Sequence, residues 1–247
     1  LLRYMVRITT IIHPVRPYDL DKTCTLSSPF PGSNSTDIYQ SGEYIRTLRS
    51  ADQTILVTVR EAEAKNSTRI ELNIDAQYIS GKLVKDIALQ VRSILGLDLS
   101  VSKFYRMSSK DPVLGPITKK FIGLRPTKAP TVFEALIQSI ISQQIHTNVA
   151  RRICNLLVEN LGERLQVDGN TYPVFPTPES LANAGTAGLK RYKLSHRKAQ
   201  YIWGIAQQIT TGELDLESLR FASTDEAIQK LTALRGIGMW TANWLLI

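Results

Sequence analysis

A glycine turn between two apolar runs dominates the stretch Leu234-Arg235-Gly236-Ile237-Gly238-Met239-Trp240-Thr241-Ala242-Asn243-Trp244. The run before it, residues 227–234, has a helical pattern, and a second apolar run begins directly after Gly238. Two helices joined in this way direct backbone N–H groups outward, which suits a phosphate. Glycine has no Cβ, so a phosphodiester can approach closely. The stretch therefore predicts a phosphate contact, although a purely structural tight turn would also use glycine.

Size and charge set the first limits on function. A chain of 247 residues accommodates one large or two small domains. Its 43% hydrophobic and 21% charged content is ordinary for a soluble globular protein. The net charge of +8 favours an anionic partner, either nucleic acid or an acidic membrane surface, with a merely basic soluble protein as the alternative. No apolar run reaches the about 18 residues of a membrane span.

The cysteines and the start of the chain indicate a compartment. Cys24 and Cys154 are too few for a disulfide framework or a four-cysteine metal site. We expect both to be reduced, which suits an intracellular location. The opening residues do not form a signal peptide. Leu1 is not an initiator, so either residues precede it or Met5 is the true start.

Residues 1–98 predict a small α+β domain. Runs rich in Ile, Val, Thr or Tyr predict strands at 5–12, 38–48, 54–61 and 69–74. A loop is expected at 29–36, where Pro, Gly, Ser and Asn cluster. Apolar residues at helical spacing over 83–95 predict one helix that ends at Gly96. The expected fold is an antiparallel sheet with a helix packed on it.

Residues 99–247 predict an all-helical domain. Short helices are expected at 102–108 and 116–121. Longer ones follow, and each begins or ends at a residue typical of helix caps. The expected caps are Thr131, Thr147 with Gly162, Thr177 before Pro178, Ser195 with Gly212, and Ser223 with Glu226 in a capping box.

Three motifs occur in order along this helical half. They are Phe133-Glu134-Ala135-Leu136 with Ile140-Ile141-Ser142-Gln143-Gln144-Ile145, Leu194-Ser195-His196-Arg197-Lys198-Ala199 with Gly212-Glu213-Leu214-Asp215-Leu216, and Arg235-Gly236-Ile237-Gly238 with Trp240-Thr241-Ala242. Together they resemble the helix-hairpin-helix DNA glycosylase superfamily, and in detail its 3-methyladenine DNA glycosylase II branch. The resemblance is close over residues 125–247, whereas the first 98 residues match only in type and order of elements.

The resemblance implies that the turn at Gln144 and Ile145 enters the duplex. A glycosylase must flip its target nucleotide out of the stack. Gln144 would act as a plug for the orphaned base and Ile145 as a wedge between unstacked steps. The alternative is that Ile145 belongs to the core and continues the Ile140 and Ile141 stripe. His146 would be a neighbouring groove or phosphate contact.

The resemblance also places the base pocket at Trp240 and Trp244, which share one helix face. An alkylated purine is electron-poor or cationic, and aromatic faces attract such rings. Ordinary helix packing is the alternative for both. Tyr201 and Trp203 are interpreted as core or helix-packing residues. Trp240 stands where bifunctional relatives carry a nucleophilic lysine, so a monofunctional enzyme that uses water is expected.

The family's catalytic aspartate would lie beyond Ile247, so no catalytic residue is assigned and a C-terminally truncated domain is expected. Asp215 and Asp225 do not match that aspartate. No cofactor is expected, apart from a Na⁺ or K⁺ ion at the carbonyls of Leu234, Gly236 and Gly238. The resemblance implies phosphate binding by Arg235, Gly236, Ile237 and Gly238.

The sequence therefore predicts a monofunctional DNA glycosylase that removes alkylated bases, chiefly 3-methyladenine and related methylpurines, from double-stranded DNA. It is expected to be a monomer without a membrane partner, in the cytoplasm or nucleoid of a bacterial or archaeal type of cell. The alternatives are a glycosylase for deaminated or oxidised bases, a non-catalytic DNA-binding module, and a structural hairpin. Some of the nearby basic residues, and no more than about a third of them, are expected to contact phosphates. The candidates are Arg125, Lys128, Arg151, Arg152, Lys190, Arg191, Lys193, Arg197 and Lys198.

Overall fold

A computed structural model describes residues 5–26, 36–50, 53–62 and 68–246. The chain forms two compact units, the first comprising Leu1–Lys128 and Leu165–Tyr172, and the second Ala129–Arg164 and Pro173–Ile247. The loop predicted at 29–36 lies outside the described residues except for its last position. Among the described residues, no helix is both long and apolar enough to cross a bilayer.

An antiparallel five-stranded sheet organises the first unit, with strand order β1-β5-β4-β3-β2. Its strands are β1 Val6–Ile12, β2 Asp37–Gln40, β3 Glu43–Ser50, β4 Gln53–Ala62 and β5 Arg69–Ala76. The prediction of one strand over 38–48 was wrong, because the chain reverses between β2 and β3. Ser41 and Gly42 both have positive φ, 52° and 78°, and this turn pairs Gln40 with Glu43.

Helix α2, Gly81–Ile94, packs against one face of the sheet, as predicted. Leu83, Ile87 and Val91 lie on its buried face. The Ser80 side chain caps it by accepting a hydrogen bond from the Leu83 N–H at 3.1 Å. A further short helix, α1 (Leu20–Leu26), carries the buried Cys24 and was not predicted.

Two short helices, α3 (Ser102–Ser108) and α4 (Leu114–Lys120), belong to the first compact unit. The division between the units falls at Lys128 and Ala129, later than the domain boundary predicted at residue 98. A connector, residues 121–128, follows α4 and stays with the first unit.

A buried arginine holds this connector in place. Arg125 is 0% exposed. Its guanidinium donates to the carbonyl oxygens of Leu99 and Leu124, both at 3.0 Å, and to those of Val15 and Pro17 at 3.1 and 2.6 Å. Its side chain is therefore a structural element of the first unit, which removes Arg125 from the candidate phosphate contacts.

The second unit is helical. Its helices are α5 Val132–Ser142, α6 Thr147–Leu161, α7 Pro178–Lys190, α8 His196–Thr210, the 3₁₀ helix Glu217–Phe221, α9 Thr224–Ala233 and α10 Met239–Leu245. The caps at Thr131, Thr177, Ser195 and Ser223 are confirmed. The cap at Thr147 was wrong, because His146 precedes α6 and its Nδ1 accepts from the Asn148 N–H at 3.2 Å.

A two-stranded hairpin, β6 Arg164–Val167 with β7 Asn170–Pro173, was also not predicted. Most of this hairpin, Leu165–Tyr172, belongs to the first unit. There Val167 packs with Ile45 and Leu56 on the sheet face opposite α2.

We predict that Arg125→Met destabilises the protein by about 3–5 kcal/mol, because four backbone carbonyls lose a charged donor whose own side chain is buried. Urea unfolding followed by circular dichroism measures the change. Lys128→Met, at an exposed position of the same connector, is the control and should change stability by less than about 0.5 kcal/mol. Equal effects of the two substitutions would contradict the structural assignment of Arg125.

Candidate nucleic-acid interface

The glycine hairpin between α9 and α10 is anchored by its apolar residues. Leu234 and Ile237 are buried, and the Ile237 N–H donates to the Leu234 carbonyl at 3.1 Å. Arg235, which lies between these two residues, and Gly238, which follows them, are exposed. The hairpin therefore holds its place through two side chains while it presents its backbone and one guanidinium to solvent.

Gly236 is required by two independent constraints. Its φ is +92°, a conformation that L side chains rarely adopt. A Cβ at this position would also lie between 2.2 and 2.6 Å from three ring atoms of Tyr201. Gly238 differs, since a Cβ there would meet no atom within 4 Å. The fold therefore requires glycine at position 236, whereas the neighbouring atoms do not require it at position 238.

Tyr201 on α8 packs against the hairpin at Gly236. Its ring fills the space against Gly236, and the Arg235 guanidinium carbon lies 5.9 Å from the ring centroid. The prediction that Tyr201 packs between helices is confirmed. Trp203 on the same helix is 38% exposed, so it does not belong to the core, and helix packing remains its interpretation.

The turn between α5 and α6 projects its residues outward. Gln144 has a φ of +56°, an uncommon value for a residue other than glycine, and its side chain is exposed. Ile145 is 36% exposed, so the alternative that it belongs to the core was wrong. An exposed branched apolar side chain and an exposed amide therefore stand side by side at the tip of the turn.

Hydrogen bonds connect this turn with the hairpin. The Gln143 side-chain amide donates to the Gly236 carbonyl at 3.0 Å. The Lys198 ammonium donates to the carbonyls of Ile141 and Gln143, both at 2.7 Å. Burial lowers the pKa of Lys198 by desolvation. Sequence reasoning did not assign these connecting roles, since nothing in the spacing of Gln143 and Lys198 indicates that they meet.

The tryptophans of α10 face outward. Trp240 is 72% exposed and Trp244 39% exposed, whereas Thr241 and Ala242 between them are buried. The exposure of Trp240 argues against ordinary helix packing for that indole, whereas Trp244 is more than half covered and helix packing stays the alternative for it. A helix with its small residues inward and its indoles outward offers aromatic faces to a ligand. The base-pocket assignment itself stays a prediction.

The acidic residues near the hairpin have structural partners. The Asp215 carboxylate accepts from the Ser218 N–H at 3.1 Å. Asp225 lies in the first turn of α9, where it complements the helix N-terminus. Glu226 completes the capping box, and hydrogen bonds from Ser223 lower its pKa. The contacts of Asp215 and Asp225 are therefore structural, and they do not indicate a catalytic role for either residue.

The described residues contain no group of three or more His, Cys, Asp or Glu side chains that could hold a metal ion. The carbonyl oxygens predicted to hold Na⁺ or K⁺ each accept a hydrogen bond. Leu234 accepts from Ile237 at 3.1 Å, Gly236 from Gln143 at 3.0 Å, and Gly238 from Ala242 at 3.0 Å. A carbonyl has two lone pairs, so one acceptor site remains on each oxygen for a cation.

The sequence and the structure were compared with those of known proteins, and a protein family matches the helical part of the chain. Residues 137–240 match the HhH-GPD superfamily base excision DNA repair protein family. The DNA-3-methyladenine glycosylase of Bacillus subtilis (strain 168) is 35% identical over 163 residues, which cover 66% of this chain and 54% of that protein. DNA-3-methyladenine glycosylase 2 of Escherichia coli (strain K12) is 30% identical over 122 residues, 49% of this chain and 42% of that protein. The chain thus spans about half the length of the curated relatives it matches.

A solved structure extends the similarity to the whole fold. The 3-methyladenine DNA-glycosylase from Archaeoglobus fulgidus has a TM-score of 0.82 and 25% identity, over 96% of this chain and 78% of that chain. Both the antiparallel sheet and the helical half have counterparts there. The predicted fold class, an α+β N-terminal part followed by a helical helix-hairpin-helix domain, is confirmed.

The two glycines of the hairpin give a matched pair of variants. We predict that Gly236→Ala destabilises the protein by about 2–4 kcal/mol, through contact with Tyr201 and through its positive φ. Gly238→Ala should change stability by less than about 1 kcal/mol, since the added methyl group enters open space. Urea unfolding of both variants measures the difference. A Gly238→Ala variant as unstable as Gly236→Ala would contradict this geometry.

Proposed function

We propose that this chain, whose residues 137–240 match the HhH-GPD superfamily, acts as a DNA glycosylase on alkylated bases in duplex DNA. The substrates would be 3-methyladenine and related methylpurines. One observation carries the proposal: the exposed turn at Gln144 and Ile145 is hydrogen-bonded through Gln143 to the hairpin that precedes the exposed Trp240. The names of the related glycosylases support the choice of substrate class.

In this proposal the hairpin binds one DNA strand. Gly238 leaves open space for a phosphodiester, and Arg235 adds an exposed positive charge next to it. The net charge of +8 favours association with a polyanion. Contacts of this kind hold the duplex in register and carry no sequence information, as a repair enzyme that scans DNA requires.

The neighbouring turn would fill the gap in the duplex. An exposed isoleucine can insert between base steps, and an exposed glutamine can hydrogen-bond the base left without a partner. Because Gln144 is held at a positive φ, the turn keeps its tip projecting before DNA arrives. Such backbone strain is often found at functional sites.

The extruded base would then lie against the indoles of Trp240 and Trp244. The cationic ring of a methylated purine is attracted to an aromatic face, and a neutral base is attracted less. In the hydrolysis the N-glycosidic bond breaks, the cationic methylpurine leaves as a neutral base with the electron pair, and water adds to the sugar carbon and releases one proton to solvent. Trp240 cannot form a Schiff base, so a monofunctional enzyme that leaves an abasic site is proposed. No catalytic carboxylate is assigned within residues 1–247.

A first prediction concerns the pocket. The product of the complete reading frame should release free 3-methyladenine from a methylated duplex, measured by chromatography of the released bases. Trp240→Ala should lower kcat/KM by about ten-fold or more, because the cation–π contact is lost, while the affinity for undamaged duplex changes less than about two-fold. Phe221→Ala, at a 91% exposed aromatic residue of the same unit, is the control.

Equal losses of excision and duplex affinity in Trp240→Ala would reject the pocket assignment. Release of deaminated or oxidised bases in place of methylpurines would favour a different glycosylase on the same fold. Duplex binding without release of any base would indicate a non-catalytic DNA-binding module.

A second prediction concerns the hairpin and uses the 247-residue chain itself. Gly238→Ala should weaken duplex binding by about five-fold or more while the protein stays folded, because the methyl group occupies the space of a phosphodiester. Fluorescence anisotropy with a labelled duplex at several salt concentrations measures both affinity and salt dependence. Arg235→Met should instead reduce the slope against log salt by about one. Unchanged binding by Gly238→Ala would exclude the phosphate contact.

A further inference from the structure

We propose that Lys198 and Gln143 are positioning residues of the glycosylase, an inference that rests on the function proposed above. They would fix the place of the 143–146 turn relative to the glycine hairpin, so that the wedge enters the duplex where the hairpin holds the strand. Neither residue needs to contact the base or the sugar for this purpose.

Lys198 completes the end of α5 from another helix. The last turn of an α-helix leaves carbonyl groups without intrahelical partners, and basic side chains often satisfy them. Helix α5 has no basic residue in its own last turn. The Lys198 ammonium reaches the Ile141 and Gln143 carbonyls from α8, both at 2.7 Å. The direction in which the chain leaves α5 toward Gln144 is therefore set by a charge on α8.

Gln143 connects this cap to the hairpin. Its carbonyl accepts from Lys198, and its side-chain amide donates to the Gly236 carbonyl at 3.0 Å. The next residue, Gln144, has the positive φ that turns the tip outward. One residue thus carries a continuous set of hydrogen bonds from α8 through the turn to the hairpin.

Helix α8 supports both parts of the site with one face. Lys198 and Tyr201 are three residues apart, so their side chains leave the same face of the helix. Lys198 contacts the turn, and Tyr201 packs against Gly236. The hairpin and the turn therefore share a common base, which is the arrangement needed to keep two DNA contacts at a constant separation.

A direct phosphate contact by Lys198 is the competing explanation, and the two differ in what they predict. A phosphate contact would weaken binding to any duplex and reduce the salt slope by about one when removed. A positioning role would leave binding to undamaged duplex nearly unchanged, since that binding depends on the hairpin. The loss would fall on the flipped state, which depends on the turn.

The first experiment needs no DNA. Hydrogen exchange followed by mass spectrometry compares the wild-type chain with Lys198→Met, which keeps the side-chain length and removes the donors. We expect faster exchange in peptides spanning 139–149. Lys198→Arg should largely restore the wild-type rate. Lys230→Met, which removes an equal charge from an exposed position on α9, is the control and should leave these peptides unchanged.

The second experiment measures base flipping with a duplex that carries a fluorescent base analogue at the target site. Lys198→Met should lower the flipped population by about ten-fold, because hydrogen bonds from a charged donor are lost. Gln143→Glu, which sets a carboxylate against the Gly236 carbonyl, should act in the same direction. It also keeps the test valid if Lys198→Met does not fold.

A double-mutant cycle separates positioning from general stability. If Lys198 acts through the turn, its removal should have little further effect on flipping in the Ile145→Ala background. Additive effects, or unchanged exchange at 139–149, would overturn the proposal, as would a salt slope reduced by one in Lys198→Met. If the wild-type protein flips no base, the proposed function fails, whereas the exchange experiment still decides whether Lys198 fixes the turn.

Discussion

The hydrogen bond from the Gln143 amide to the Gly236 carbonyl is the contact on which the site depends. It joins two segments that are far apart in the chain and differ in chemistry, one a turn with an exposed isoleucine and the other a glycine turn. Lys198 stabilises the same junction by satisfying carbonyls at the end of α5. Because charged donors make the stronger protein hydrogen bonds, the junction is held more firmly than an ordinary loop contact.

The same junction explains why glycine and tyrosine occur where they do. Gly236 combines a positive φ with a tyrosine ring where its Cβ would be, so no other residue fits without displacement of Tyr201. Gly238 is the N-cap of α10, and a Cβ there would meet open space, so the position is accessible to a ligand from outside. The motif therefore contains one glycine that the fold requires and one at which a side chain would meet no neighbouring atom.

Local signals in the sequence predicted much of the fold. Caps such as Ser195 and Ser223 act through neighbouring backbone groups, so they can be identified without knowledge of the tertiary structure. The strand predicted over 38–48 failed because Ser41 adopts a positive φ, which serine rarely signals in advance. Arg125 was misinterpreted because its partners are carbonyls distant in sequence. The exposed Ile145 and tryptophans were predicted by resemblance, whereas the bonds made by Gln143 and Lys198 required the three-dimensional structure.

In the proposed function, the 143–146 turn and the tryptophans of α10 act together on one extruded nucleotide. The decisive measurement is a crystal structure of the protein bound to a duplex that carries a hydrolysis-resistant methylpurine nucleotide. We expect Ile145 within the base stack at the lesion, a phosphate at Gly238, and the methylated base against the Trp240 indole. A duplex bound with an intact stack, or held by a surface that excludes the 143–146 turn, would rule out joint action of the turn and the tryptophans.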